Sequence, residues 1–290
     1  MRLPSPPPLH TCRLNLRTKE KRLPHATNPG DGVRTYFEDS GGEGAPVLFY
    51  TGFADPLEVA TASRLARALI GEFRLIFADH RGQGGSDKPY DASSYALPAR
   101  VGDVIAVLDG LGIERAHFLG SSWGARLGYA LGEHAPERVL GLVLCGNQPY
   151  AWNLESPTAH AVGAAIAASR QEGMNGFVET FESALGYRFP EPERTWTLEK
   201  NDPDALEAAW RSVQVEGAVS EDLSGWQVPC LICAGEADEM HDDARRAAAE
   251  IPGAKFVSLA GHSHISAFYE ADDLLVPHVL ELLRTATPPP

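Results

Sequence analysis

No stretch of this sequence approaches the ~20 consecutive apolar residues that a membrane-spanning helix requires, although 43% of its 290 residues are hydrophobic. The N-terminus has basic residues without an apolar core behind them, so it does not read as a secretory leader. Positive charge is scarce: 25 Lys and Arg stand against 39 Asp and Glu, a formal net charge of −14. That balance argues against a nucleic-acid partner, which would need a basic face. Residues 1–30 hold six Lys or Arg and one Glu, so the remainder is more acidic than the total and mildly disfavours anionic substrates. Cysteine is also scarce, with Cys12, Cys145, Cys230 and Cys233 only. Few cysteines in a long chain fit a reducing compartment, and a cytoplasmic location is expected.

Cys230 and Cys233 have C-x-x-C spacing, but they lie in Val228-Pro-Cys-Leu-Ile-Cys-Ala-Gly235, which reads as a buried strand. Strand geometry sends positions three apart to opposite faces, and no second ligand pair is near. They are read as core cysteines, and neither a metal nor a cofactor is expected.

Residues 1–25 are Pro-rich, basic and aperiodic, and are expected to be a disordered extension. From Val33 onward, apolar strands alternate with helical periodicity. Strands are predicted at 33–38, 47–50, 75–78, 116–119, 139–144, 229–234 and 255–259. Helices are predicted at 57–70, 98–111, from the Gly120 run to about 134, at 243–251 and at 271–284. Most of the strands are continuous apolar runs, the pattern of parallel strands covered on both faces. Residues 148–226 break the rhythm with three helical segments (around 157–171, 174–185 and 203–214) and no clear strand. The expected organisation is an α/β core of 26–147 and 227–285 with a helical cap at 148–226.

One run carries chemistry. Gly120-Ser-Ser-Trp-Gly124 is a G-x-S-x-G spacing directly after an apolar strand and directly before an amphipathic helix. Spacing alone is weak; the strand–turn–helix setting is what a nucleophile elbow needs. The flanking glycines allow strand and helix to approach, and they place Ser122, not Ser121, at the apex. The helix N-terminus behind it favours developing negative charge.

A serine hydroxyl needs a base, and the base needs an acid to orient it. The strand ending at Cys233 runs into Ala234-Gly-Glu-Ala-Asp-Glu239, where Asp238 sits just past the strand end, with Glu236 and Glu239 as alternatives. The strand ending at Leu259 runs into Ala260-Gly-His-Ser-His264, where His262 and His264 compete. The chain order Ser, acid, His is that of the strand–elbow–helix architecture.

These pieces, with Thr51-Gly-Phe-Ala-Asp55 and Asp79-His-Arg-Gly-Gln-Gly-Gly-Ser-Asp-Lys-Pro89, resemble the α/β-hydrolase-fold superfamily, of the capped serine hydrolase or esterase type. The resemblance runs from about residue 26 to 284 and is specific for the fold, not for a substrate. It implies a mostly parallel sheet with helices on both faces and an inserted helical cap. Relatives commonly read Leu-Pro-Gly-x-x-His where this chain has Leu259-Ala-Gly-His-Ser-His264, which selects His264 as base and leaves His262 as the alternative. Asn147 stands where some relatives carry the acid. The resemblance implies oxyanion donors at the backbone N–H groups of Trp123 and Phe53. Relatives usually have His-Gly before the latter, and this chain has Thr51-Gly52. His80 and Arg81 are read as residues that order loops.

The expected activity is hydrolysis of a carboxylic ester, lactone or thioester through an acyl-enzyme on Ser122. Carbon–carbon bond hydrolysis or perhydrolase chemistry on the same residues is the alternative, and a ligand-binding receptor with little turnover is the reading from another class. An epoxide hydrolase or haloalkane dehalogenase of this fold would be expected to show aspartate at position 122. The cap aromatics Tyr150, Trp152, Phe177, Phe181, Trp196 and Trp210, with Met174, suggest a small, neutral, largely apolar substrate.

Overall fold

The computed structural model describes residues 25–287. The expected extension at 1–25 lies outside them apart from His25, which opens the first strand instead of closing a tail. In chain order the elements are β1 (His25–Thr27), β2 (Arg34–Asp39), β3 (Pro46–Tyr50), α1 (Leu57–Ala62), α2 (Arg64–Leu69), β4 (Arg74–Ala78), α3 (Leu97–Gly110), β5 (Ala116–Ser121), α4 (Trp123–His134) and β6 (Val139–Cys145). There follow α5 (Pro157–Leu185), α6 (Glu193–Lys200), α7 (Pro203–Val213), β7 (Cys230–Gly235), α8 (His241–Glu250), β8 (Lys255–Leu259), α9 (His264–Tyr269) and α10 (Asp272–Ala286).

The strands form one eight-stranded sheet in the order β1-β2-β4-β3-β5-β6-β7-β8. Pairing is parallel from β4 to β8, while β1 and β2 join antiparallel at one edge. Alternate strand residues feed two apolar layers. Leu48, Ile76, Phe118, Leu142, Leu144 and Ile232 pack against α3, α4 and α8. Val47, Phe49, Phe77, Leu119, Val143 and Leu231 pack against α1, α2, α9 and α10. Burial on both faces is why these strands read as continuous apolar runs. Cys230 falls in the first layer and Cys233 in the second, on opposite faces.

The helix expected over 57–70 is two helices. Ser63 is extended (φ −65°, ψ 153°), its Oγ donating to the Ala60 C=O (2.8 Å) and accepting from the Ala66 N–H (3.0 Å). A hydroxyl that bonds the backbone on both sides competes with helix continuation. The two helices expected at 157–171 and 174–185 both lie within α5, separated by a kink at Gly173 (φ 61°, ψ −152°). Two short helices, α6 and α9, escaped the periodicity. The first is largely polar, and the second spans only six residues.

Helices α5, α6 and α7 all lie between β6 and β7. Their apolar faces form two clusters that reach back to the core at Phe53, Ala54, Trp123 and Ile265. Among the described residues, no helix is long and apolar enough to cross a membrane.

Candidate active site

Parallel pairing brings the C-terminal ends of β3, β5, β6, β7 and β8 to one edge of the sheet, and the loops leaving that edge meet there. The register pairs Tyr50 with Gly120 and Ser121 with Cys145. The loops after β3 and β5 are therefore neighbours by construction.

Ser122 occupies the turn between β5 and α4 at φ 50°, ψ −114°. A non-glycine residue there is strained by about 1–3 kcal/mol. The surroundings hold it. Its N–H donates to the Cys145 C=O (2.8 Å), and its C=O accepts from Asn147 Nδ2 (3.0 Å) and the Arg126 N–H (3.1 Å). The glycines are required. A Cβ on Gly120 would lie 2.4 Å from the Gly124 oxygen, and one on Gly124 2.3 Å from the Tyr50 oxygen.

Ser122 Oγ lies 3.0 Å from His264 Nε2, and His264 Nδ1 lies 2.9 Å from Asp238 Oδ2. A carboxylate only accepts, so Nδ1 carries the proton and Nε2 is left to accept from the serine hydroxyl. The other Asp238 oxygen accepts from the Met240 N–H (3.0 Å), which fixes the carboxylate plane. The Asp238 side chain is fully buried and that of His264 nearly so. Burial by itself would raise Asp238, but the imidazole beside it and the Met240 N–H hold the carboxyl below its ordinary range. Burial would likewise lower His264, yet Asp238 reverses this and leaves the imidazole above its ordinary value.

Local sequence explains how Asp238 and His264 meet. A Cβ on Gly235 would lie 2.4 Å from the His262 oxygen, so only glycine lets the end of β7 approach the loop after β8. The Ala237 N–H donates to that same oxygen (2.9 Å). Ser263 caps α9 by a reciprocal pair of bonds with Ser266, placing His264 at the first helical position. His262 thus contributes its carbonyl to this junction, while its ring Nδ1 is buried without a hydrogen-bond partner among the described residues.

The other sequence candidates fall elsewhere. Glu236 is exposed. Glu239 accepts from the Thr158 N–H, at 3.2 and 3.3 Å, at the start of α5. His80 is buried and places Nε2 2.9 Å from the Thr51 C=O, so Nε2 donates. Burial, with the Arg100 charge, pushes its pKa down, which favours the neutral ring. Arg81 is paired with Asp103 and Asp31, both at 2.6 Å. Both residues order loops.

The loop after β3 passes against the serine: a Cβ on Gly52 would lie 3.5 Å from Ser122 Cβ. Thr51 Oγ1 donates to the Asp55 C=O (2.5 Å), and the Gly124 N–H donates to the Thr51 C=O (3.0 Å). The Thr51 hydroxyl, His80 and the helix N-terminus together hold this loop. The N–H of Trp123 belongs to the first turn of α4, where no intrahelical acceptor exists. The Trp123 ring carries the Arg100 guanidinium 3.8 Å from its centroid and packs edge-on to Phe53 at 5.3 Å.

Sequence reading missed Arg126 and Arg100 and noted Asn147 without a role, yet all three shape this site. Arg126 donates to Glu216 and to the carbonyls of Gln148, Tyr150 and Gly217. Arg100 lies beneath Trp123, and Asn147 holds the Ser122 carbonyl. Their partners are tens of residues away or backbone atoms, which no local motif signals.

A family model described as alpha/beta hydrolase fold matches residues 45–270. The chain belongs to that family. Among curated relatives, it is 33% identical over 123 residues to an epoxide hydrolase 2 from Siraitia grosvenorii, covering 42% of this chain and 38% of that protein. It is 36% identical over 117 residues to a 2-hydroxymuconate semialdehyde hydrolase from Pseudomonas sp. strain CF600, covering 40% and 41%. The matched segments thus span about two-fifths of the length of these relatives. Among solved structures, an enol-lactonase from Burkholderia xenovorans LB400 superposes with a TM-score of 0.74 at 24% identity, over 88% of this chain and 98% of that one. That likeness shows the fold.

Proposed function

We propose that this protein is a serine hydrolase that cleaves a carboxylic ester, including a lactone or thioester, through an acyl-enzyme on Ser122. The observation that carries the reading is the unbroken hydrogen-bonded series from Asp238 through His264 to Ser122. In this reading His264 Nε2 takes the hydroxyl proton as Ser122 Oγ attacks the carbonyl carbon. Asp238 stabilises the imidazolium that forms. The N–H groups of Trp123 and Phe53 receive the oxyanion. The imidazolium then gives its proton to the leaving oxygen or sulfur, and the carbonyl re-forms as that bond breaks. Water repeats the sequence on the acyl-enzyme, with His264 again as base.

The insertion of α5, α6 and α7 is the cap of this site. Its Phe177 ring lies 6.5 Å from the Phe53 ring, and Met174, Phe177 and Phe181 are buried in the cluster that includes Ala54 and Ile265. Those surroundings favour a small, neutral, largely apolar substrate. Cys230 and Cys233 are buried free thiols, which supports a reducing, cytoplasmic setting.

Carbon–carbon bond hydrolysis is the second reading, favoured by the similarity to the 2-hydroxymuconate semialdehyde hydrolase. Epoxide opening fits less well. Attack of a serine oxygen on an epoxide gives an ether, with no carbonyl for water to attack; a carboxylate nucleophile gives a cleavable ester.

Labelling with a fluorophosphonate probe and turnover of a chain-length series of p-nitrophenyl esters test the proposal. Wild type labels and turns over; Ser122→Ala does neither; His264→Ala loses turnover and His262→Ala keeps it. Equal labelling of Ser122→Ala overturns the nucleophile. Labelling without turnover of any ester turns the reading towards the receptor or the carbon–carbon substrate.

A further inference from the structure

The turn that carries Phe53 is held from two directions. Its start is held by the core, through His80 Nε2 and the Gly124 N–H on the Thr51 carbonyl. Its end is held by the insertion. Asn201, which terminates α6, donates from Nδ2 to the Ala54 C=O at 2.8 Å and to the Thr197 C=O at 3.0 Å. Ala54 is buried and has φ 65°, a left-handed conformation that an L-residue avoids without support. The adjoining residue, Lys200, pairs with Glu58 at the start of α1, the helix that follows the turn. Two consecutive residues at the end of α6 therefore grip both the turn and the next helix.

Asn201 is placed at a cost. Its Oδ1 is buried without a hydrogen-bond partner among the described residues, a penalty that an apolar side chain would avoid. What the amide supplies, and an apolar residue does not, is the donor to Ala54. That carbonyl is two peptides beyond the one carrying the Phe53 N–H, and the two are joined across the turn, where the Asp55 N–H beside it donates to the Gly52 C=O (3.4 Å). Rotation of either peptide re-aims the other.

We propose that Asn201 is a positioning residue that couples the seating of the insertion to the aim of the Phe53 N–H, so that the oxyanion donors are complete only while α6 is docked. This rests on the serine hydrolase reading above. Asn201 touches no reacting atom; it acts through Ala54. The coupling gives the docked insertion a part in the chemical step as well as in covering the site.

The test uses Asn201→Asp, which keeps the shape but cannot donate when ionised, and Asn201→Ala as a second variant. Active sites are counted by fluorophosphonate labelling. For each variant, kcat and KM on a p-nitrophenyl ester are measured beside inhibition by an arylboronic acid, whose tetrahedral adduct uses the same donors. The expected result is a loss in kcat per labelled site of about tenfold or more, smaller than removal of a donor itself, with KM within about twofold. Boronate affinity falls in proportion. An unchanged kcat per labelled site, or a loss confined to KM, overturns the proposal alone. So does a fall in kcat with boronate affinity unchanged. Absence of labelling in wild type overturns the serine reading and this proposal with it.

Discussion

His264 Nδ1 donates to Asp238 Oδ2 at 2.9 Å, on a carboxylate whose second oxygen is taken by the Met240 N–H. Asp238→Asn places an amide where an acceptor is needed and favours the tautomer whose Nε2 carries the proton. That ring cannot accept from Ser122. We expect kcat to fall by about 10³–10⁴-fold with KM little changed, measured on whichever ester the wild type turns over best.

The same pair sets the pH profile. Asp238 raises His264 above its ordinary value of about 6.5. A protonated His264 cannot take the serine proton, so activity falls as pH falls through that raised value. The acidic limb of kcat/KM should therefore have an apparent pKa above about 6.5. In Asp238→Asn the limb should move to lower pH. A limb that stays in place would mean another group controls it.

Asp79 provides a stability prediction of defined sign. Burial pushes its carboxyl up to about 7, against the bonds it accepts from the Gly85 and Leu57 N–H groups. In the unfolded chain its pKa is about 3.9. Between those values the folded state holds a proton that the unfolded state has released. Its contribution is therefore fully present below about pH 4 and is lost as pH rises towards 7. Chemical unfolding across that window should show a steeper fall in wild type than in Asp79→Asn, whatever the absolute stability of the variant.

The elbow is too tight for a methyl group. A Cβ on Gly124 would sit 2.3 Å from the Tyr50 oxygen and 2.7 Å from the Thr51 oxygen, both backbone atoms. Gly124→Ala should destabilise by about 3 kcal/mol or more, or fail to fold, because neither strand nor helix can give way. Gly217→Ala is the control, since a Cβ there meets nothing within 4 Å. Urea midpoints of the two variants decide it.

Arg126 ties the two ends of the insertion to α4. Its guanidinium reaches Glu216 (2.8 Å) and the carbonyls of Gln148 (2.8 Å), Tyr150 (2.5 Å) and Gly217 (2.6 Å). Arg126→Met leaves these acceptors without their donor and should cost about 3–5 kcal/mol. Amide exchange should accelerate first in segments 147–153 and 214–218, with the sheet protected. Uniform acceleration would show that the insertion and core unfold together.

Much of the fold was legible along the chain, because burial on both faces writes itself as apolar runs and the helices between them as period 3.6. The same local logic named Ser122, Asp238 and His264 as candidates, each in the loop that follows a strand. It misjudged elements where a side chain outcompeted periodicity, as Ser63 does in breaking a helix in two. It also had no means of separating His262 from His264 except by likeness to relatives. Two residues apart in one loop, they differ in what lies across the loop from each.

The amino-acid order sets the succession of strands and helices, the glycines that allow the tight turn at Ser122, and which residue types stand at the strand ends. Which of them meet is settled by the three-dimensional packing. Parallel pairing brings the ends of β5, β7 and β8 to one edge, and the close approach at Gly235 hands the His262 carbonyl to Ala237 and the His264 ring to Asp238. It also decided that Thr51 is supported by His80 and that the turn bearing Phe53 is held by Asn201 from 147 residues beyond Ala54. Periodicity records how a residue sits relative to its own element, and these contacts join elements whose separation along the chain carries no trace of their proximity.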